Sequence, residues 1–161
     1  MAVAAVPAQS SRHERWVCPG TPDQVGAVRR RLRQCLGTAH PCLDRVALCA
    51  SEICTNAVTH TASGSADPAK CWFVVEVDWA DDWVRTAVHD TGTSSSPRLV
   101  RASWSDEAGR GLQIVTNEAD EWGDDPSPNG LGRVVWFIVR AERGLSLATS
   151  EEVLDVAASA K

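Results

Sequence analysis

Residues 51–60 read Ser51-Glu52-Ile53-Cys54-Thr55-Asn56-Ala57-Val58-Thr59-His60. Glu52, Asn56 and His60 stand four apart, so on a helix they share one face. Val46, Cys49, Ala50, Ile53, Ala57 and Val58 recur at helical spacing on a neighbouring face and form the stripe that must be buried. An acid and an amide at the edge of a buried stripe are costly unless they bind something. A carboxylate and an amide oxygen projecting into one cleft suit a hard cation and an activated water or hydroxyl. Taken alone, the pattern also fits an amphipathic helix with a solvated polar face.

The 161 residues suffice for one domain with a proper core. Hydrophobic content of 43% and charged content of 23% are those of a soluble globular protein. A net charge of -5 argues against non-specific or direct nucleic-acid binding. Arg29, Arg30, Arg31 and Arg33 are the basic cluster, expected on the outer face of a helix, with a partner-docking patch as the alternative. No apolar run is long enough to cross a membrane, and the N-terminus lacks the charged start and apolar core of a leader, so the expected compartment is the cytoplasm. The six cysteines form no Cys-x-x-Cys pair and read as buried, reduced hydrophobes rather than a zinc site or disulfide set.

Working outward, a short strand is expected near Glu14 to Cys18. A helix follows, with Thr21 as N-cap and Pro22 in its first position, ending near Gly37. The segment after Pro41 continues as a helix to about His60, before a turn-rich loop to Pro68. Residues 71–79 and 83–89 read as a β-hairpin. Residues 91–107 have no sustained period, and so long a loop is usually functional. A helix from Gly111 to Ala119, a short strand after Asp120 and a last strand from Arg133 to Val139 complete the pattern. The expected fold class is α+β, a two-layer sandwich whose mixed, mostly antiparallel sheet is covered on one face by helices. Residues 1–12 are expected to be a tail, 13–141 the domain, and 142–161 a second tail with one short helix near 151–157.

Two further clusters accompany the opening helix. His89-Asp90-Thr91-Gly92 ends a strand; its carboxylate can accept from an exocyclic amine while the glycine lets a flat ring approach. An ordinary strand-to-loop turn favours the same residues. Glu107-Ala108-Gly109-Arg110-Gly111-Leu112 enters a helix, where free N–H groups and the positive end of the helix dipole make a phosphate seat. A tight loop entry is the plainer alternative. Neither the P-loop nor the dinucleotide fingerprint is matched.

In order, Glu-x-x-x-Asn, Asp-x-Gly and Gly-x-Gly resemble the asparagine box and the two glycine boxes of the GHKL ATPases, which share the Bergerat or histidine-kinase-like fold. Ser51 to His60, Gly109-Arg-Gly-Leu-Gln-Ile-Val115, Glu121-Trp-Gly123 and Gly132-Arg-Val-Val-Trp-Phe137 look closest to the single-domain anti-sigma-factor serine/threonine kinases of actinobacteria, over roughly residues 15–140. The resemblance implies ATP and Mg²⁺ as cofactors. It makes Asn56 the metal ligand, Glu52 the general base toward a protein hydroxyl, Asp90 the acceptor of the adenine amine, and Gly92 a wall of the base pocket. The amides of Gly109, Arg110, Gly111 and Leu112 would hold phosphates, and residues 93–108 would be a lid. His60 would touch phosphate or merely cap its helix. The implied partners are a sigma factor, an anti-anti-sigma protein of the STAS type, or both, with a homodimer as the implied assembly.

Two departures stand out. Ser94 replaces a second glycine, which predicts a stiffer loop. Gly132-Arg133-Val134 replaces Gly-Lys-Thr, so Val134 lacks a hydroxyl that would help a water read adenine, a contact worth about 1 kcal/mol. Both favour the alternative of a nucleotide-gated protein-binding regulator without kinase activity, whereas Glu52 favours the kinase. A histidine-kinase fragment fits less well, because no helical hairpin precedes the domain. Trp72, Trp79, Trp83, Trp122 and Trp136 read as packing residues, and Trp104, within the lid, as packing or as a stacking partner.

Overall fold

Alternation along the strands divides the sheet into two unlike faces. Trp16 and Cys18 point to one side and are buried, while Arg15 and Val17 point to the other and are exposed. The same division runs through Phe73, Val75, Val77 and Trp79, then Val84 and Val88, then Phe137 and Val139, all of which belong to one apolar core. The structure is a computed structural model; it describes residues 11–60, 66–67, 71–92, 107–127, 130 and 132–141, with the side chains of 60 and 107–110 outside that description.

The elements run β1 (Arg12–Pro19), α1 (Asp23–Leu36), α2 (Leu43–His60), β2 (Trp72–Ala80), β3 (Trp83–His89), α3 (Glu107–Glu118), β4 (Glu121–Pro126) and β5 (Arg133–Arg140). The five strands form one sheet in the order β1-β2-β3-β5-β4. Every described pairing is antiparallel, so the expected mixed character is absent among these strands. The α3 segment carries the chain from β3 to the edge strand β4, and β5 returns between them.

Helix α1 begins as the sequence predicts to within a residue. Pro22 already has helical dihedrals, φ -58° and ψ -31°, but makes no side-chain cap. The Thr21 hydroxyl bonds the Asp23 carboxylate, which lowers that carboxyl's pKa, instead of capping the helix. Asp23 in the first turn and Arg33 in the last both favour the helix dipole. Val28, Leu32 and Leu36 face inward, and the arginines face outward, with Arg31 stacked over the Trp16 ring at 5.7 Å.

Helix α2 carries the broadest buried face. Val46, Cys49, Ala50, Ile53, Cys54 and Ala57 are all at most 3% exposed, whereas Val58 is only half-buried. Burial pushes the Cys42 and Cys49 thiols up to about 11 and raises Cys54 further, so these thiols act as small hydrophobes. Of the tryptophans, Trp79 packs in the core, Trp83 is buried on the opposite face, and Trp72, Trp122 and Trp136 are half-buried. The face away from the helices carries ion pairs: Glu76 lies 3.0 Å from Arg15 and Asp78 lies 2.8 Å from His13. Among the described residues, no helix is long and apolar enough to cross a membrane. Of the predicted lid, residues 93–106 with Ser94 and Trp104 lie outside the described residues, as do residues 1–10 and 142–161 of the predicted tails with the 151–157 helix, whereas Arg12 already belongs to β1 and residues 107–108 to α3.

Thr86 is fully buried on the core face opposite Phe137, and its hydroxyl has no hydrogen-bond partner among the described residues. Thr86→Val keeps the shape and removes the orphaned hydroxyl, so it is expected to raise stability by about 1 kcal/mol in urea unfolding. Phe73→Ala, by contrast, is expected to lower stability by about 3–5 kcal/mol.

Candidate functional site

Helix α2 runs the length of the sheet and brings its polar residues to one end. At its start, the Arg45 Nη1 donates to the Arg140 carbonyl at 3.0 Å, and the Cys42 thiol lies 3.9 Å from the Asp82 carbonyl, both at the β2–β3 turn end. Farther along, Cys54 lies near enough to Cys18 for the two to interact electrostatically, and Cys18 pairs with Phe73 at the opposite end of β2. Asp90 leaves β3 at that same end, one residue beyond the Val74–His89 pair. The C-terminal half of α2, with Glu52 and Asn56, thus lies over the Asp90 end of the sheet.

Gly111, one turn into α3, packs directly on Glu52 and Asn56. A Cβ at Gly111 would stand 2.9 Å from the Glu52 Oε2 and 3.7 Å from the Asn56 Nδ2. A methyl group there would require the Glu52 carboxylate to shift, so the glycine lets the helix backbone lie close against these two polar side chains. Its position corrects one expectation: α3 begins at Glu107, not at Gly111. The free N–H groups of a helix belong to its first turn, which here is Glu107 to Arg110. The amides of Gly111 and Leu112 fall within the helical ladder, so the free N–H groups lie one turn earlier than the sequence predicts, and Gly111 brings the helix backbone close to α2.

The Asp90 cluster is held by backbone. Its Oδ1 accepts from the Gly92 N–H at 2.7 Å and from the Arg133 N–H at 3.2 Å, while its own N–H donates to the Arg133 carbonyl at 3.0 Å. Both of these backbone donors reach the same carboxylate oxygen, Oδ1. Burial raises the Asp90 pKa above the ordinary carboxylate range, against the opposing pull of the two N–H groups and the Arg133 charge. Gly92 (φ +66°) and Gly132 (φ +80°) pack face to face: a Cβ on Gly92 would come 2.6 Å from the Gly132 Cα. A Cβ on Gly132 would collide with the Asp90 carbonyl. A flat, side-chain-free patch therefore lies beside the carboxylate.

Register also corrects the reading of Val134. It pairs with His89 and shares the face away from the helices, whereas Val135 and Phe137 face the core. A hydroxyl at 134 would lie on the His89 face of the sheet, opposite the face toward which strand alternation turns Asp90. The residue beside Asp90 is Arg133, whose guanidinium is ion-paired with Asp124 of β4. Of the other expected site residues, Asn56 and Glu52 are half-buried, and the side chains of His60, Gly109 and Arg110 lie outside the described residues.

A family model for the histidine kinase-like ATPase domain matches residues 18–139. The chain belongs to this family. Among solved structures, it is similar to the RsbU and RsbW domains of Rv1364c from Mycobacterium tuberculosis, with a TM-score of 0.58 and 22% identity. That likeness covers 80% of this chain and 32% of the other, so the chain spans about a third of that protein's length. At this identity the likeness concerns the histidine kinase-like ATPase fold. No curated protein matches the sequence.

Gly132 and Gly37 both have positive φ, +80° and +84°, but a Cβ on Gly37 would meet open space. Gly37→Ala is expected to cost about 1–3 kcal/mol from backbone strain alone. Gly132→Ala should cost more, because the methyl group also displaces Asp90. Denaturant unfolding of the two variants side by side measures the difference.

Proposed function

We propose that this chain binds Mg·ATP between α2, the Asp90–Gly92 turn and the start of α3, and that it acts as an anti-sigma-factor serine/threonine kinase. In this reading Asp90 accepts from the adenine amine, Gly92 and Gly132 floor the base pocket, and first-turn amides of α3 take phosphate oxygens. The observation that carries it is the meeting of Gly111 with Glu52 and Asn56, because it brings the phosphate-binding helix onto the acid and the amide.

The residues present fit Mg²⁺ chemically. Among the described residues no cluster of three carboxylate, imidazole or thiol ligands exists. Asn56 offers a single hard oxygen beside Glu52, and Mg²⁺ prefers few protein ligands, completing its shell with water and phosphate oxygens. When bound, the ion would neutralise triphosphate charge. Glu52 would take the proton of a protein serine or threonine hydroxyl, and Asn56 would orient the phosphates toward it. The order of the sequence boxes supports a sigma factor or an anti-anti-sigma protein as the partner.

A second reading keeps ATP binding but not phosphoryl transfer: a nucleotide-gated regulator that grips its partner. It is favoured by the closeness of the Glu52 carboxylate to Gly111 of α3, where a Cβ would stand 2.9 Å from Oε2. Labelled ATP and a candidate anti-anti-sigma protein separate the two. The kinase reading expects phosphoserine or phosphothreonine with wild type and its loss, with ATP binding retained, in Glu52→Ala. ATP binding with no phosphorylated partner supports the gated regulator.

Asp90 gives a test of the ATP site itself. The amide oxygen of Asp90→Asn can still accept from the Gly92 and Arg133 N–H groups, so the fold is expected to hold. Because the folded pKa is raised, Asp90's contribution to stability is lost as pH rises through that pKa; the variant should therefore equal or exceed wild type in stability at neutral pH. Mg·ATP affinity should nevertheless fall by about tenfold or more, because a charge-assisted bond to the base is lost. In wild type, affinity should also fall as pH drops through the raised Asp90 pKa, and calorimetric titration should find this component missing in the variant.

A further inference from the structure

Arg45 lies on α2 seven residues before Glu52 and eleven before Asn56, spacings that put all three on one helix face. Its guanidinium reaches three acceptors at the point where α3 and β5 end. Nε donates to the Glu118 carbonyl at 2.9 Å, Nη1 to the Arg140 carbonyl at 3.0 Å, and Nη2 to the Asp120 Oδ2 at 3.3 Å. Asp120 is itself fixed, since its Oδ2 accepts from the Arg140 N–H at 2.7 Å and its N–H donates to the Ile138 carbonyl at 2.9 Å. A cation on the carbonyl end of α3 is also favoured by the helix dipole.

Two contacts fix α3 against α2, and they are equally spaced on both helices. Gly111 meets Glu52, and Glu118 meets Arg45, so seven residues separate the contacts on each helix, which run antiparallel. Among the described side chains of α3, Val115 is the one fully buried, and the bonds from Arg45 add direction to that apolar contact. A slip of one turn moves a helix by about 5.4 Å, enough to carry the phosphate seat away from Glu52 and Asn56.

We infer that Arg45 is a positioning residue for phosphoryl binding: by holding the C-terminal end of α3, it sets the register that places the first turn of α3 beside Glu52 and Asn56. It touches no part of the nucleotide site. The inference rests on the Mg·ATP reading above for its consequence, but not for the register itself. The base pocket is built from β3 and β5 and does not depend on α3, so base and triphosphate should respond differently to loss of Arg45.

The test compares Arg45→Ala, Arg45→Lys and Asp120→Asn with wild type, using adenosine and Mg·ATP as separate probes under conditions where thermal unfolding shows each variant folded. Arg45→Ala is expected to weaken Mg·ATP by about tenfold while leaving adenosine affinity within about twofold. Arg45→Lys, which keeps a charge and part of the bonding, and Asp120→Asn should fall between. If Arg45→Ala does not fold, these two milder variants carry the comparison. Equal losses for adenosine and Mg·ATP would mark a merely structural role, and no loss for either would also overturn the inference.

The register has its own readout in the NMR cross-peak between the Gly111 Hα and the Asn56 side-chain amide. This signal is expected to weaken in Arg45→Ala, and its full persistence overturns the inference. A wild-type protein that binds neither probe refutes the nucleotide reading instead, while the cross-peak still decides the register.

Discussion

Every part of the candidate site depends on the burial of α2. Its six most buried residues, from Val46 to Ala57, lock the helix over the sheet and leave one strip of surface, bearing Arg45, Glu52 and Asn56, along the seam with α3. Rotation of a helix so buried would expose apolar area worth about 25 cal/mol per Å² and would bury carboxylate and guanidinium groups in its place. The polar strip is therefore held in place by the apolar one. This accounts for three buried thiols on or beside α2: Cys42, Cys49 and Cys54 fill small spaces between helix and sheet and have pKa values raised by that burial.

The second half of the site is maintained at some cost to the fold. A buried carboxylate with a raised pKa and two glycines in left-handed conformations contribute little stability themselves. They are held because neighbouring strands supply the bonds: the Arg133 backbone meets Asp90 from β5, while the Gly92–Gly132 contact leaves room for no side chain. The Arg133–Asp124 ion pair keeps the nearest cation turned toward β4. The proposed adenine site would use this arrangement, with the carboxylate beside a surface free of side chains.

The helices and strands were largely legible because each has a clean period and strong punctuation. Pro22, Gly37 and the 80–82 turn mark boundaries that the structure reproduces within a residue or two. The start of α3 was not legible: two glycines suggest a loop, yet the helix begins at Glu107 and Gly111 lies within it, close against Glu52. Val134 was misread because a strand's alternation sets a residue's face only once its register is known. The spacing of Arg45 from Glu52 and Asn56 was visible in the chain, but its carbonyl partners lie 73 and 95 residues away.

The sequence alone determined the α+β class, the buried stripe of α2 and the order of the three polar clusters, because periodicity and local composition are properties of neighbouring residues. Only the tertiary structure decided that Gly92 meets Gly132, that Arg133 rather than Val134 flanks Asp90, and that Arg45 and Gly111 set α3 against α2. Those facts depend on strand register and helix packing between distant segments. No local pattern encodes them, since each is fixed by the simultaneous burial of many side chains in one core.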